Sequence, residues 1–131
     1  MRTLALITLL ALPTWAKPNY ALKILNLAVA QQAMGDSSNL IQDGQVMKDI
    51  DATRPFCMVH GPNARLDASA LYKVTKIDFE NSGSFGNVDL MVQSQLASAP
   101  ATFMIMCVTE DDPTIEQARA ALAGVYEIIQ N

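Results

Sequence analysis

Residues 88–96 (VDLMVQSQL) and 102–108 (TFMIMCV) decide the fold. In the first stretch, apolar positions 88, 90 and 92 alternate with polar positions 89 and 93. This period of two predicts a strand with one buried face and one wet face. The second stretch is apolar throughout its centre, which predicts a central strand covered on both sides. Together they indicate a β-sheet core.

Two more strands and a short hairpin are predicted before this core. Residues 56–60 and 71–80 are predicted as strands, and each is followed by turn-forming residues. Asp43-Gly44 lies between two short apolar runs and predicts a hairpin turn over 40–48.

The two ends of the chain are predicted to be helical. Residues 20–34 (YALKILNLAVAQQAM) are rich in Ala, Leu and Gln and are followed by Gly35, a common helix terminator. A second helix is predicted from Pro113, with Asp112 as its N-cap. Its apolar stripe comprises Ile115, Ala118, Leu122, Val125 and Ile129. The predicted fold class is α+β: a curved antiparallel β-meander of four main strands plus a short hairpin, with a C-terminal and an N-terminal helix packed on it.

Residues 1–16 have the pattern of a secretory signal peptide. Arg2 precedes a ten-residue apolar run over 3–12, and Thr14-Trp15-Ala16 places small residues at positions −3 and −1 of a cleavage site. The run is shorter than the ~18–20 apolar residues that cross a bilayer. We therefore expect residues 17–131 to form a single disulfide-linked α+β domain without a stable membrane span after cleavage.

The chain contains two cysteines, Cys57 and Cys107. In an exported protein such a pair predicts a structural disulfide, and closing a loop of this length contributes roughly 4 kcal/mol. A redox-active pair is the alternative, but such cysteines usually lie close together in sequence. The chain has no N-x-[ST] glycosylation site, which favours a bacterial periplasmic or secreted location.

Charge and motifs argue against several function classes. Thirteen acidic residues outnumber nine basic ones, which argues against nucleic-acid binding. His60 is the only histidine, no serine lies in a G-x-S-x-G turn, and the acidic run at 110–112 is interpreted as helix capping. We therefore expect a protein that is not an enzyme.

Strand parity yields one candidate metal site. If Cys57 lies directly opposite Cys107 on antiparallel strands, Met58 faces Met106 and His60 faces Met104. These four side chains, Met58, His60, Met104 and Met106, then share the sheet face opposite the disulfide. Thioethers and an imidazole suit Cu(I). Alternatively, the methionines fill a core beneath the C-terminal helix, with Met47 and Met91 as scattered filler.

Two functions are compatible with these features. The first is a non-enzymatic binding or interaction module, an envelope accessory factor or inhibitor, that contacts a protein partner through residues 20–34. The second is a periplasmic small-ligand or Cu(I)-binding protein that uses the methionine and histidine face; copper is then the only cofactor expected. In size and single disulfide the chain resembles small periplasmic lysozyme inhibitors, whose characteristic loop motifs do not occur in this sequence.

Overall fold

The computed structural model describes residues 19–35, 40–49, 51–61, 65–98 and 100–131. Of the described residues, 50% lie in strands and 16% in helices. The signal predicted at 1–16 lies outside the described residues. Among the helices that are described, none has the length and apolar character needed to cross a membrane.

The described chain forms one curled antiparallel half-barrel of eight strands with two helices. In chain order the elements are β1 (Tyr20–Ile24), α1 (Leu27–Gly35), β2 (Leu40–Gln42), β3 (Gln45–Met47), β4 (Phe56–His60), β5 (Leu71–Ser82), β6 (Phe85–Ser94), β7 (Thr102–Thr109), α2 (Ile115–Leu122) and β8 (Tyr126–Gln130). The strand order across the sheet is β3-β2-β4-β7-β6-β5-β1-β8.

The predicted α+β fold with a four-strand meander is wrong. The four main strands are present, but each segment predicted as one helix is a helix joined to a strand. Strand β1 pairs antiparallel with β8 from Tyr20↔Gln130 to Ile24↔Tyr126, and β1 also pairs with β5. These terminal strands extend the sheet, because their backbone groups form hydrogen bonds with segments that are distant in sequence. A local helical pattern does not reveal such partners.

Local signals mark both helix–strand boundaries. The Asn26 side chain accepts a hydrogen bond from the Val29 amide at 3.2 Å, so α1 begins only after this N-cap. At the other end, Gly124 has a φ of +88° and separates α2 from the strand that begins at Tyr126. The N-cap of α2 is Thr114, in a capping box with Gln117, and not Asp112 as predicted.

The hairpin predicted at Asp43-Gly44 is present between β2 and β3. Both turn residues have positive φ, 52° and 78°, which is typical of a type I′ turn. Gly44 lies against the backbone of Ala123 and Gly124, so this turn abuts the turn between α2 and β8. The curl of the sheet therefore brings its two edge regions together.

The core lies on the concave side, which we call the inner face of the sheet. The buried helix residues Ala118, Ala121 and Leu122 belong to the same hydrophobic cluster as the inner-face strand residues. Tyr72 and Phe103 pack edge to face within it, with ring centroids 5.7 Å apart. The opposite side is called the outer face.

Candidate metal-binding face

The predicted disulfide is confirmed. Cys57 and Cys107 lie directly opposite each other on β4 and β7, with Cα atoms 4.0 Å apart, and both side chains are fully buried in the core. Ile41 is next to Cys57 on β2, and Val88 is next to Cys107 on β6. The disulfide therefore ties two central strands together on the inner face.

The register around the disulfide pairs Met58 with Met106 and His60 with Met104. The parity argument predicts these same pairs. All four residues lie on the outer face, since the alternate residues of β4 and β7 are buried on the inner face. The three methionines are half-buried, whereas His60, at the end of β4, is exposed.

A fourth methionine joins this group. Met91 on β6 is the register partner of Met104, so it is not a scattered core residue as predicted. Sequence parity could not place it, because no covalent link fixes the register between β6 and β7. We call the outer-face group of Met58, His60, Met91, Met104 and Met106 the thioether face.

The helices do not bury the thioether face. Both helices contribute their buried residues to the inner-face core, so the alternative in which these methionines lie beneath the C-terminal helix is wrong. Met34 on α1 belongs to that core and is only 5% exposed. Among the methionines that the structure describes, Met34 is therefore the one buried in the core, and the methionines of the thioether face are not.

The spacing of the four residues on β4 and β7 permits convergence on one ion. Directly opposite residues on antiparallel strands lie about 5 Å apart, and next-but-one residues along a strand about 7 Å apart. Met side chains are long, unbranched and flexible. Three sulfur atoms and an imidazole nitrogen can therefore meet above the centre of this rectangle.

A carboxylate lies next to the thioether face. Asp89 on β6 is the register partner of Met106, and Asp78 on β5 follows in the same row. The Asn87 side-chain amide donates a hydrogen bond to Asp89 at 2.9 Å, which holds that carboxylate in place. Lys76 offsets the charge of Asp78, since its ammonium lies 3.2 Å from that carboxylate, so Asp89 is the carboxylate whose charge favours the approach of a cation.

The other surface predicted from the sequence, residues 20–34, is divided between β1 and α1. Of these residues, Leu22, Ile24 and Met34 are buried in the core, and the large apolar residues that are exposed are Leu25 and Leu27. In the part of the chain that the structure describes, no three His, Cys, Asp or Glu side chains come together as a metal-binding group.

Two carboxylates have shifted titration for local reasons. Hydrogen bonds from Thr53 lower the pKa of Asp51, and hydrogen bonds from Ser69 lower the pKa of Asp67. In both cases the carboxylate accepts bonds from the backbone amide and the hydroxyl of a residue two positions on. This is the geometry of a structural Asx turn and does not indicate a catalytic acid.

Comparison with known proteins finds no matching family model, no matching curated protein and no matching solved structure.

Proposed function

We propose that this protein is a non-enzymatic binding protein that holds Cu(I) on its thioether face, with Met58, His60, Met104 and Met106 as ligands. The observation that carries the proposal is the register of β4 and β7, which places three half-buried methionines and the only histidine together on a face that the helices leave uncovered.

The donor set favours a soft monovalent ion. Thioether sulfur is a soft ligand that selects Cu(I), and imidazole also suits copper. Oxygen-rich clusters of the kind that bind Ca²⁺ or Mg²⁺ are absent among the described residues. Both cysteines are joined in the disulfide and do not act as thiolate ligands. A site built on methionine therefore keeps its donors in an oxidising compartment, where cysteine thiols form disulfides.

The disulfide also bears on location, since it indicates an oxidising, non-cytoplasmic compartment. As part of the proposal, this compartment is the bacterial periplasm or the extracellular space, reached by cleavage after Ala16. The support is the signal-like pattern of residues 1–16. Intact mass measurement of protein recovered from its native cells tests this, and a chain that still begins at Met1 would contradict it.

Copper binding is tested by anaerobic competition against a chromophoric Cu(I) chelator with ascorbate present. We expect one ion per chain with an affinity tighter than micromolar. Met106→Leu retains volume but removes the sulfur next to Met58, so binding weakens at least about tenfold while the fold remains.

The matched control is Met47→Leu. Met47 is half-buried on the same outer face, but Leu40 lies between it and Met58 in the register. This variant retains wild-type affinity. Binding weaker than micromolar, or equal losses in the two variants, would overturn the proposal.

A further inference from the structure

Strand β5 has a long unpaired edge. It runs for 12 residues, from Leu71 to Ser82, and pairs with β6 over nearly its whole length. On its other side, β1 pairs only with Leu71, Tyr72 and Lys73. Within the described residues no strand pairs with that side of β5 beyond Lys73, so alternate backbone amides and carbonyls there point away from the sheet.

The side chains of this edge follow a two-faced pattern. Ile77 and Phe79 lie on the inner side, opposite Leu90 and Val88, and Phe79 is 52% exposed. Lys76, Asp78 and Glu80 lie on the outer side. A long edge with exposed apolar residues is a template for pairing with another strand.

We propose that this edge pairs antiparallel with the same edge of a second copy of the chain, so that the two sheets form one continuous sheet across a two-fold axis through Asp78. A two-fold interface uses the same segment on both copies, and the segment must therefore be self-complementary. Residues 76–80 (KIDFE) meet this condition.

In this register each Lys76 lies opposite Glu80 of the second copy, and each Ile77 lies opposite Phe79 of the second copy. Opposite charges and apolar pairs directly across antiparallel strands stabilise the pairing. The two Asp78 carboxylates face each other at the axis. Each is accompanied by Lys76 of its own strand, whose ammonium lies 3.2 Å from the Asp78 carboxylate, and this cation offsets the repulsion.

The bulge in β5 sets one limit of the interface. The register of β5 on β6 shifts between Val74 and Lys76. Bulges bend a strand and interrupt regular pairing. The regular edge begins at Lys76, next to the bulge, and the self-complementary residues occupy its first five positions. Residues 76–80 are not among the proposed copper ligands, so this proposal does not rest on copper binding and is tested separately.

The experiment measures the association of the purified protein by sedimentation velocity over a range of concentrations. We expect a reversible dimer. Glu80→Lys replaces both Lys–Glu pairs with Lys–Lys repulsion and weakens association at least about tenfold. Lys76→Glu has the same effect through Glu–Glu repulsion. Glu127→Lys is the matched control, since Glu127 is exposed on β8, outside the proposed interface segment 76–80.

Mixing the two single variants gives the sharpest result. A chain with Lys at 76 and 80 complements a chain with Glu at 76 and 80, so the equimolar mixture associates more tightly than either variant alone, by at least about tenfold. Hydrogen exchange of backbone amides in 76–80 slows as the dimer forms. A monomer at every concentration, an unchanged dimer in Glu80→Lys, or a mixture no better than its components would overturn the proposal.

Discussion

The contact between two turns that holds the curl of the sheet leads to a prediction about Gly44. This residue has a φ of +78°, a region that costs a residue with a Cβ roughly 1–2 kcal/mol. A Cβ at this position would also overlap the carbonyl oxygen of Ala123 and lie 3.3 Å from its carbonyl carbon. Gly44→Ala must therefore adopt an unfavourable backbone conformation and also push the two turns apart.

Gly83 separates these two effects. It lies in the turn between β5 and β6 with a φ of +66°, and an added Cβ would meet no atom within 4 Å. Gly83→Ala should lower the free energy of unfolding by about 1 kcal/mol, through the backbone alone. Gly44→Ala adds a backbone overlap of the kind that costs about 1–3 kcal/mol, for a total of about 2–4 kcal/mol.

The assay is urea unfolding at equilibrium, followed by far-UV circular dichroism. Gly44→Asn and Gly83→Asn form a second pair, because Asn tolerates positive φ but still carries a Cβ. We expect Gly83→Asn to be close to wild type and Gly44→Asn to remain clearly destabilised. Equal losses at the two positions would show that the turn at Gly44 does not touch the turn at Ala123, and would refute the contact that closes the curl of the sheet.

Two further predictions concern the core. The Tyr126 hydroxyl is buried without a hydrogen-bond partner among the described residues, so Tyr126→Phe should raise the free energy of unfolding by about 1 kcal/mol at neutral pH. Burial raises the pKa of Tyr126 in the fold, so wild-type stability should fall above pH ~10, where the unfolded phenol ionises, by up to about 1.4 kcal/mol per pH unit. Tyr126→Phe should lack this part of the slope when urea unfolding is measured at several pH values. Identical slopes for the two proteins would contradict the reasoning. Replacing both Cys57 and Cys107 with Ala opens a link across a sequence separation of 50 and should cost roughly 4 kcal/mol in the same assay, whereas a loss below about 1 kcal/mol would contradict the entropic argument.

The parts of the fold that the sequence predicts are those set by local chemistry or by a covalent link. Asp43-Gly44 specifies its turn through the backbone preferences of two residues. With the premise that the disulfide joins directly opposite residues of two antiparallel strands, which β4 and β7 satisfy, side-chain alternation assigns Met58 and Met106 to one face. Neither inference requires knowledge of the rest of the sheet.

The terminal strands could not be predicted in the same way. β1 and β8 come from opposite ends of the described chain, and they become neighbours only through the order of strands in the whole sheet. The N-cap at Asn26 and the glycine at 124 are local signals that break the two helical patterns. These signals indicate where each helix starts or stops, but they do not indicate which strand is the partner of the segment beyond.

The distribution of residue types between the two faces bears on the copper proposal. On β4 and β7 the inner face carries Val59 and Ile105, which are β-branched and suit a buried strand surface. The outer face of the same two strands carries Met58, Met104 and Met106. Methionine as a flexible filler is most useful in irregular core gaps, yet on these two strands it occupies the side away from the core. In the copper proposal these sulfur atoms are the ligands, and that role would account for methionine at the outer positions 58, 104 and 106.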